Sequence, residues 1–157
     1  MDVRVLCIVG ESKSGKTTLI ENIVPILKDR GLKVLVLKHA KEFEIDKKGK
    51  NSWRIFKSGA DVVITSKEKT AFIGRLSDNL DEILKIFGKG YDLILTEGFG
   101  ESKFEKIVVL KDCERFKYRN VIAVVSDFDV DFEPRFGKRD YEKISDFIIE
   151  WLRSSSP

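Results

Sequence analysis

The sequence feature that most constrains the fold is a glycine-rich segment near the start of the chain, which reads Gly10-Glu11-Ser12-Lys13-Ser14-Gly15-Lys16-Thr17. An apolar run from Val3 to Val9 precedes it, and apolar residues at helical spacing follow it as far as Gly31. Glycines at such a strand-to-helix turn let backbone N–H groups approach an anion at the positive end of the helix. The segment therefore predicts a phosphate-binding loop.

Individual residues of this loop have distinct expected roles. Gly10 and Gly15 permit the close approach of backbone, Lys16 reaches the β- and γ-phosphates, and the Thr17 hydroxyl binds Mg²⁺. The rest of the predicted nucleotide-binding set is Glu11, Ser12, Lys13, Ser14 and Thr18. We therefore expect a nucleoside triphosphate bound with Mg²⁺, with Lys16 also serving in catalysis.

Short runs rich in Val and Ile alternate with stretches of helical period along the chain, which is typical of a parallel sheet covered by helices. The sequence predicts an α/β fold: a single P-loop NTPase domain over residues 1–153, with a mostly parallel sheet flanked by helices, and a disordered tail over 154–157. Strands after the first are predicted at Lys33 to Lys38, Asp61 to Thr65, Thr70 to Arg75, Leu93 to Thr96, Ile107 to Leu110 and Val121 to Val125. The last helix is predicted from a stripe of apolar residues, Ile144, Phe147, Ile148 and Trp151.

Composition excludes several other classes. Charged residues are 35% and apolar residues 42% of the chain, as in soluble globular proteins, and no apolar run is long enough to span a bilayer. The first residues lack the pattern of a signal peptide, so we expect a cytoplasmic protein with no membrane partner. The net charge of +3 arises from mixed charges and does not indicate nucleic-acid binding. Cys7 and Cys113 are too far apart for a metal-binding pair, so we expect one in the core and one in a loop.

An acidic residue is needed near the metal, and the predicted strand Leu93 to Thr96 is flanked by two, Asp92 and Glu97. Ligands of parallel sheets lie beyond the carboxyl ends of the strands, while Asp92 is about 16 Å away at the other end. Glu97 is therefore the candidate to hold Mg²⁺ or to orient the attacking water. The alternative is an exposed turn carboxylate beside Gly98.

Three further residues follow strands or lie on the same side of the sheet. His39 ends the second predicted strand, and Asp46 lies in the polar stretch after it, where it is a candidate metal ligand. Asp127 follows the strand Val121 to Val125 and is a candidate acceptor for a guanine base, with an ordinary strand-end turn as the equal alternative. The Asn-Lys-x-Asp segment of many guanine-specific proteins is missing, so GTP and ATP both stay open at this point.

With these residues in place the chain resembles the molybdopterin-guanine dinucleotide biosynthesis protein B (MobB) family along nearly its whole length. The stretches that carry the resemblance are Gly10 to Thr18 with Leu19, Lys38-His39 with Phe43-Glu44-Ile45-Asp46, Gly49 to Arg54 leading to Ser58-Gly59-Ala60, and Glu97-Gly98-Phe99 with Lys106-Ile107. The resemblance implies a GTP-binding protein with weak GTPase activity that assists conversion of the molybdopterin cofactor to its guanine dinucleotide form. It also implies a molybdenum cofactor guanylyltransferase (MobA-type) as partner, and a homodimer.

The chain departs from the pattern of this family at three places. Asn51 stands where the family commonly has Asp, Gly100 stands where it commonly has Lys, and Ala40 with Lys41 replaces further histidines. The second departure leaves Lys103 or Lys106 to act in place of the missing lysine. None of the three departures touches the phosphate loop.

Other functions share the same loop. A small-molecule kinase would use arginines such as Arg54 and Arg75 to close over the phosphates, and a nonenzymatic adaptor would bind nucleotide without turnover. A metal-delivery GTPase would need a cluster of His or Cys ligands, which a chain with one His and two distant Cys does not offer. Lys47, Lys48 and Lys50 form a basic segment that is either a solvated charge run or a contact for the cofactor or the partner.

Overall fold

The computed structural model describes residues 3–112 and 116–154, so Cys113 lies outside the described residues, as does the predicted tail apart from Ser154. The elements in chain order are β1 (Arg4–Val9), α1 (Lys16–Asp29), β2 (Val34–Lys38), α2 (Asn51–Lys57), β3 (Val62–Thr65), β4 (Thr70–Ile73), α3 (Leu80–Phe87), β5 (Leu93–Glu97), β6 (Glu105–Val109), β7 (Val121–Val125), β8 (Arg135–Phe136) and α4 (Tyr141–Ser154). Among the helices described, none is long and apolar enough to cross a membrane.

Six of the strands form one sheet in the order β2-β5-β1-β6-β7-β8, and every neighbouring pair in it is parallel. β3 and β4 pair with each other as a separate antiparallel hairpin. The prediction of an α/β fold with a mostly parallel sheet flanked by helices is confirmed. The carboxyl ends of the six parallel strands share one edge, where the residues that follow each strand converge.

The described residues form two compact units. One contains those of Met1–His39 and Leu84–Pro157, with the six-stranded sheet, α1 and α4, and the other is Ala40–Ile83, with α2 and the β3-β4 hairpin. In the second unit the Arg75 guanidinium stacks 3.9 Å from the ring centre of Phe56 and donates a hydrogen bond to its carbonyl.

One face of the six-stranded sheet is covered by helices. Its strands present alternate apolar side chains to that face, as the period of a strand requires. They are Leu6, Ile8, Leu93, Leu95, Ile107, Val109, Ala123 and Val125. The helix side chains packed against them are Leu19, Ile20, Ile23 and Leu27 of α1 with Ile144, Ile148 and Trp151 of α4. This confirms the predicted core role of the last helix.

The opposite face is covered by aromatic side chains from the segments that connect the strands. Buried residues of this face include Cys7 and Val9 of β1, which confirms the expected burial of Cys7. Those packed on it include Phe99, Phe104, Phe116, Tyr118, Phe128 and Phe132. These segments therefore cover the face of the sheet that α1 and α4 leave open.

A buried lysine holds the segment between β5 and β6 in place through hydrogen bonds. Lys106 in β6 is fully buried, and its ammonium donates hydrogen bonds of 2.6 Å to the carbonyl oxygens of Ser102 and Phe104. It is therefore committed to holding the segment between β5 and β6, and it does not take the place of the lysine that the family has at position 100.

We predict that Lys106→Met lowers the free energy of unfolding by about 1 to 3 kcal/mol, because two partly buried carbonyl groups lose their donor. Urea denaturation of the parent and the variant measures the difference. Lys143→Met on the exposed side of α4 is the control and should change stability by less than about 0.5 kcal/mol. Equal stability of the Lys106 variant and the parent would contradict this role.

Candidate functional site

The glycine-rich loop begins at Gly10, where the backbone lies too close to β6 for any residue but glycine. Gly10 has φ 146°, and a side chain there would overlap the carbonyl oxygen of Val109 in β6. Gly15, with φ 105°, directly precedes α1, and Ser14 between them is buried. The loop therefore turns from β1 into the first residue of α1, Lys16, with the helix N-terminus facing the carboxyl edge of the sheet.

The Lys16 side chain folds back across this loop. Its ammonium donates hydrogen bonds to the carbonyl oxygens of Gly10 at 2.8 Å and Glu11 at 2.6 Å. Burial lowers the pKa of Lys16, the nearby Glu97 carboxylate raises it in part, and the charge of Lys38 lowers it. An anion bound in the loop would raise the pKa of Lys16 again, because a negative charge nearby stabilises the charged ammonium.

Glu97 lies beside the same helix end. It is the last residue of β5, and its two carboxylate oxygens accept the hydroxyl of Thr17 at 2.9 and 3.0 Å. Lys38, the last residue of β2, places its ammonium 3.5 Å from one of these oxygens. Asp92 lies at the opposite end of the strand, where it accepts the backbone N–H of Lys33 at 2.7 Å. Glu97 and Asp92 thus lie at opposite ends of β5, as the strand direction predicts from the sequence.

The segment after Glu97 is held tightly. The N–H of Gly98 donates to the carbonyl of Ile8, and the N–H of His39 donates to the carbonyl of Glu97, both at 3.0 Å. The rings of His39 and Phe99 lie 4.9 Å apart, and a side chain at Gly98 would meet the Cβ of His39. His39 thus lies at the carboxyl edge of the sheet with its backbone tied to the Glu97 strand.

The donor set at this helix end suits a hard divalent cation. A threonine hydroxyl and a carboxylate are oxygen ligands of the kind that Mg²⁺ takes together with phosphate oxygens and water. The Thr17 hydroxyl oxygen and the Glu97 carboxylate oxygens lie within hydrogen-bond distance of each other, so both residues could hold one cation, with the hydroxyl keeping its proton. The residues present therefore fit the expected Mg²⁺.

Asp127 also follows a strand at this edge, separated from the end of β7 by Ser126. One of its carboxylate oxygens accepts the backbone N–H of Lys138 at 2.8 Å, which ties the end of β7 to the segment before α4. The hydroxyl of the preceding Ser126 is buried and accepts the N–H of Phe128 at 3.1 Å. Asp127 thus has a structural contact, and its base-binding role stays a prediction.

Asp46 belongs to the second unit. One of its oxygens accepts the hydroxyl of Ser52 at 2.8 Å, and the other is buried without a hydrogen-bond partner among the described residues. The basic segment Lys47, Lys48 and Lys50 is exposed beside it. The metal-binding role predicted for Asp46 also stays a prediction.

Sequence reasoning missed Tyr118 and the cavity that it walls. A cavity of about 270 Å³ lies at the ends of β1 and β6; its lining includes Gly10, Glu11, Glu101, Lys111, Phe116 and Tyr118. Burial raises the pKa of the Tyr118 hydroxyl, as do Glu11 and Glu101, while a hydrogen bond with the Gly10 backbone lowers it. No local pattern marks Tyr118, because its neighbours in the cavity are distant in sequence.

Comparison with known proteins agrees with this geometry. Residues 5–127 match the family described as molybdopterin guanine dinucleotide synthesis protein B. The chain is 30% identical to the molybdopterin-guanine dinucleotide biosynthesis adapter protein of Escherichia coli, over 98% of this chain and 96% of that protein. It is 40% identical to a putative adapter protein of the same description from Methanocaldococcus jannaschii, over 70% of this chain and 48% of that protein.

Solved structures show the same relationship. A crystal structure titled molybdopterin-guanine biosynthesis protein B has a TM-score of 0.83 and 44% identity, over 95% of this chain and 99% of that one. The Bacillus subtilis MobB structure shares the fold, with a TM-score of 0.76 at 23% identity over 94% of this chain and 96% of that one. The chain therefore belongs to the molybdopterin-guanine dinucleotide synthesis protein B family, whose curated members are described as adapters in that synthesis.

Proposed function

We propose that the chain binds GTP with Mg²⁺ at the phosphate loop, hydrolyses it slowly, and in this way assists the formation of molybdopterin guanine dinucleotide. The observation that carries the proposal is the contact of Thr17, in the first turn of α1, with Glu97 at the end of β5. A phosphate loop followed by a hydroxyl and faced by a carboxylate is the arrangement that P-loop nucleotide hydrolases use.

Binding would replace contacts that the loop makes with itself. The Lys16 ammonium bonds two carbonyl groups of its own loop, and these are exchanged for phosphate oxygens when a triphosphate enters. The N–H groups at the start of α1 have no intrahelical acceptors, so they are available to phosphate oxygens. When bound, Mg²⁺ would supply charge neutralisation for the phosphates, with Thr17 and Glu97 holding it.

Glu97 also fits the task of orienting water, because contacts hold both its backbone and its side chain in place. The backbone around it is bonded to β1 and to His39, and its side chain lies between the Thr17 hydroxyl and the Lys38 ammonium. A carboxylate held in this way keeps one direction toward the phosphates without a further conformational step. Lys38, 3.5 Å from the Glu97 carboxylate, would add a positive charge on this side of the phosphates.

The choice of GTP rests on two supports. The family is described by synthesis of a guanine dinucleotide, and Asp127 lies at the sheet edge two strands from β1, at the end of β7. A carboxylate there would accept hydrogen bonds from the N1 and N2 groups of guanine. Adenine offers no such pair of donors, so Asp127 would then discriminate against ATP.

The adapter role implies macromolecular partners. We infer that the chain works with a molybdenum cofactor guanylyltransferase, and that it does so as a homodimer. Apolar side chains of the β3-β4 hairpin support pairing, since Val63 is 63% and Phe72 is 41% exposed. Exposed apolar side chains on a hairpin are the kind of surface that an interface covers.

We predict that Lys16→Ala weakens GTP binding at least about tenfold, because it deletes a charge-assisted contact worth about 1.5 to 3 kcal/mol. Isothermal titration of the parent and the variant measures the change. Lys28→Ala, in the exposed last turn of α1, removes the same charge away from the loop and should bind GTP like the parent. Unchanged affinity in a folded Lys16 variant would refute the phosphate-loop assignment.

We predict that Glu97→Gln lowers the rate of GTP hydrolysis about tenfold or more while GTP affinity changes only a few fold. The amide keeps the shape but loses the charge that orients water and balances the metal. Phosphate release under single-turnover conditions gives the rate. Glu150→Gln on the exposed face of α4 is the matched control, and parental hydrolysis by the Glu97 variant would make Glu97 a bystander.

The basic segment offers a test of the partner role. We predict that replacing Lys47, Lys48 and Lys50 by Ser leaves GTP binding intact but weakens association with the transferase or the cofactor. The loss should be largest at low salt, where screening of charges is least. Binding measured at two ionic strengths checks this, and equal partner affinity of parent and variant at low salt would mark the lysines as a solvated charge run.

A further inference from the structure

Glu97 and Lys38 end neighbouring strands and face the same side of the sheet. Glu97 is in register with Lys38 of β2 and with Ile8 of β1, and side chains at paired positions of a parallel sheet project to one face. Ile8 packs on the face that α1 covers, so this is the side on which α1 begins. The register of the sheet therefore brings the Lys38 ammonium to the Glu97 carboxylate, 3.5 Å from one of its oxygens.

The two partners of this ion pair differ in how firmly they are held. The side chain of Glu97 is 14% exposed, and both its oxygens accept the Thr17 hydroxyl. The side chain of Lys38 is 60% exposed, and its distance of 3.5 Å to Glu97 exceeds the roughly 2.7 to 3.2 Å of an ordinary N–H···O hydrogen bond. A cation that enters beside Glu97 would thus displace the Lys38 ammonium into water and leave the carboxylate in place.

The ammonium of Lys16, which also lies near this helix end, is held by the loop. It donates hydrogen bonds to the carbonyl oxygens of Gly10 and Glu11 at 2.8 and 2.6 Å. Lys38 is thus the lysine whose ammonium pairs with Glu97 and can be released from it.

Lys38 cancels the negative charge that would attract a metal ion. One carboxylate and one ammonium together carry no net charge, and a divalent cation at Glu97 would lie close enough to the lysine to be repelled by it. Mg²⁺ is usually held by one or two carboxylates together with phosphate oxygens of the substrate. The negative charge of a triphosphate would offset both the cation and the lysine. Electrostatics therefore makes metal binding at Thr17 and Glu97 depend on the phosphates.

We propose that Lys38 is a built-in counter-ion that keeps divalent cations away from Thr17 and Glu97 until a triphosphate is bound. When the triphosphate binds, the Lys38 ammonium leaves Glu97 for the negative charge of the phosphates, and the carboxylate becomes available to the metal. This exchange rests on the proposed function, which brings a triphosphate and Mg²⁺ to this edge of the sheet. It adds an order of events, because the chain then takes up metal together with nucleotide and not before it.

The first test is Mn²⁺ binding to the whole chain without nucleotide, measured from the electron paramagnetic resonance signal of the free ion. Lys38→Met removes the charge from a mostly exposed side chain, so it should fold like the parent and bind Mn²⁺ about fivefold or more tightly. Lys38→Arg keeps the charge and should bind Mn²⁺ like the parent. Lys33→Met, at an exposed lysine just before the other end of β2, is the matched control and should also bind like the parent.

Two further measurements locate the effect. Adding Glu97→Gln to Lys38→Met should remove the gain in Mn²⁺ affinity, because the metal then lacks its carboxylate. Calorimetric titration with GTP, with and without Mn²⁺, gives the coupling between the two ligands, which is reciprocal. Mn²⁺ should strengthen GTP binding to Lys38→Met several fold less than it strengthens GTP binding to the parent. The complex of GTP with Mn²⁺ in solution is the same for both proteins and cancels in this comparison.

Three outcomes would overturn the proposal. One is equal Mn²⁺ affinity of Lys38→Met and the parent. Another is a gain that persists when Glu97→Gln is added, which would place the metal elsewhere. The third is an equal gain in Lys33→Met, which would assign the effect to the net charge of the chain. If any of these occurs while the parent binds GTP with Mg²⁺, the proposed function stands and the role of Lys38 falls. A folded parent that binds no GTP would refute the proposed function itself, and the role of Lys38 with it.

Discussion

The packing of Gly10 against the Val109 carbonyl fixes where the phosphate loop leaves the sheet. Any side chain at position 10 would collide with that oxygen, so β1 and β6 can end side by side only with glycine there. The loop that follows is short, and its length brings Lys16 back within hydrogen-bond distance of the Gly10 carbonyl. The direction of α1, the place of its first N–H groups and the crevice beside Tyr118 all depend on this backbone contact.

Parallel strand pairing brings Glu97 and Lys38 to the same edge of the sheet as the start of the loop. β5 lies between β1 and β2, with Glu97 in register with Ile8 on one side and Lys38 on the other. Glu97 therefore reaches the edge at the same level as the residues that start the loop. Its contacts with Thr17 and Lys38 follow from this register. Lys38 ends β2, and Thr17 lies in the first turn of α1, which begins beyond the carboxyl end of β1.

Local patterns in the sequence were sufficient for much of this arrangement. The strand, glycine loop and helix around Gly10 are contiguous, and strand polarity alone separated Glu97 from Asp92. Other features needed long-range contacts. β8 has only two residues, which is too short for a periodic pattern. The predicted strands Asp61 to Thr65 and Thr70 to Arg75 gave no sign of forming a separate hairpin. The fit of Tyr118 into the space at Gly100 joins residues that share no motif.

We propose that the loop at Gly10 to Thr17 and the carboxylate of Glu97 form a Mg²⁺-dependent GTP site. A calorimetric titration of the purified chain with GTP and with ATP, each with and without Mg²⁺, tests it most directly. We expect GTP binding that strengthens with Mg²⁺ and exceeds ATP binding by about tenfold or more, since unpaired polar groups at the base cost about 1 to 3 kcal/mol. Absence of binding to either triphosphate in the folded protein, or affinity unaffected by Mg²⁺, would contradict it.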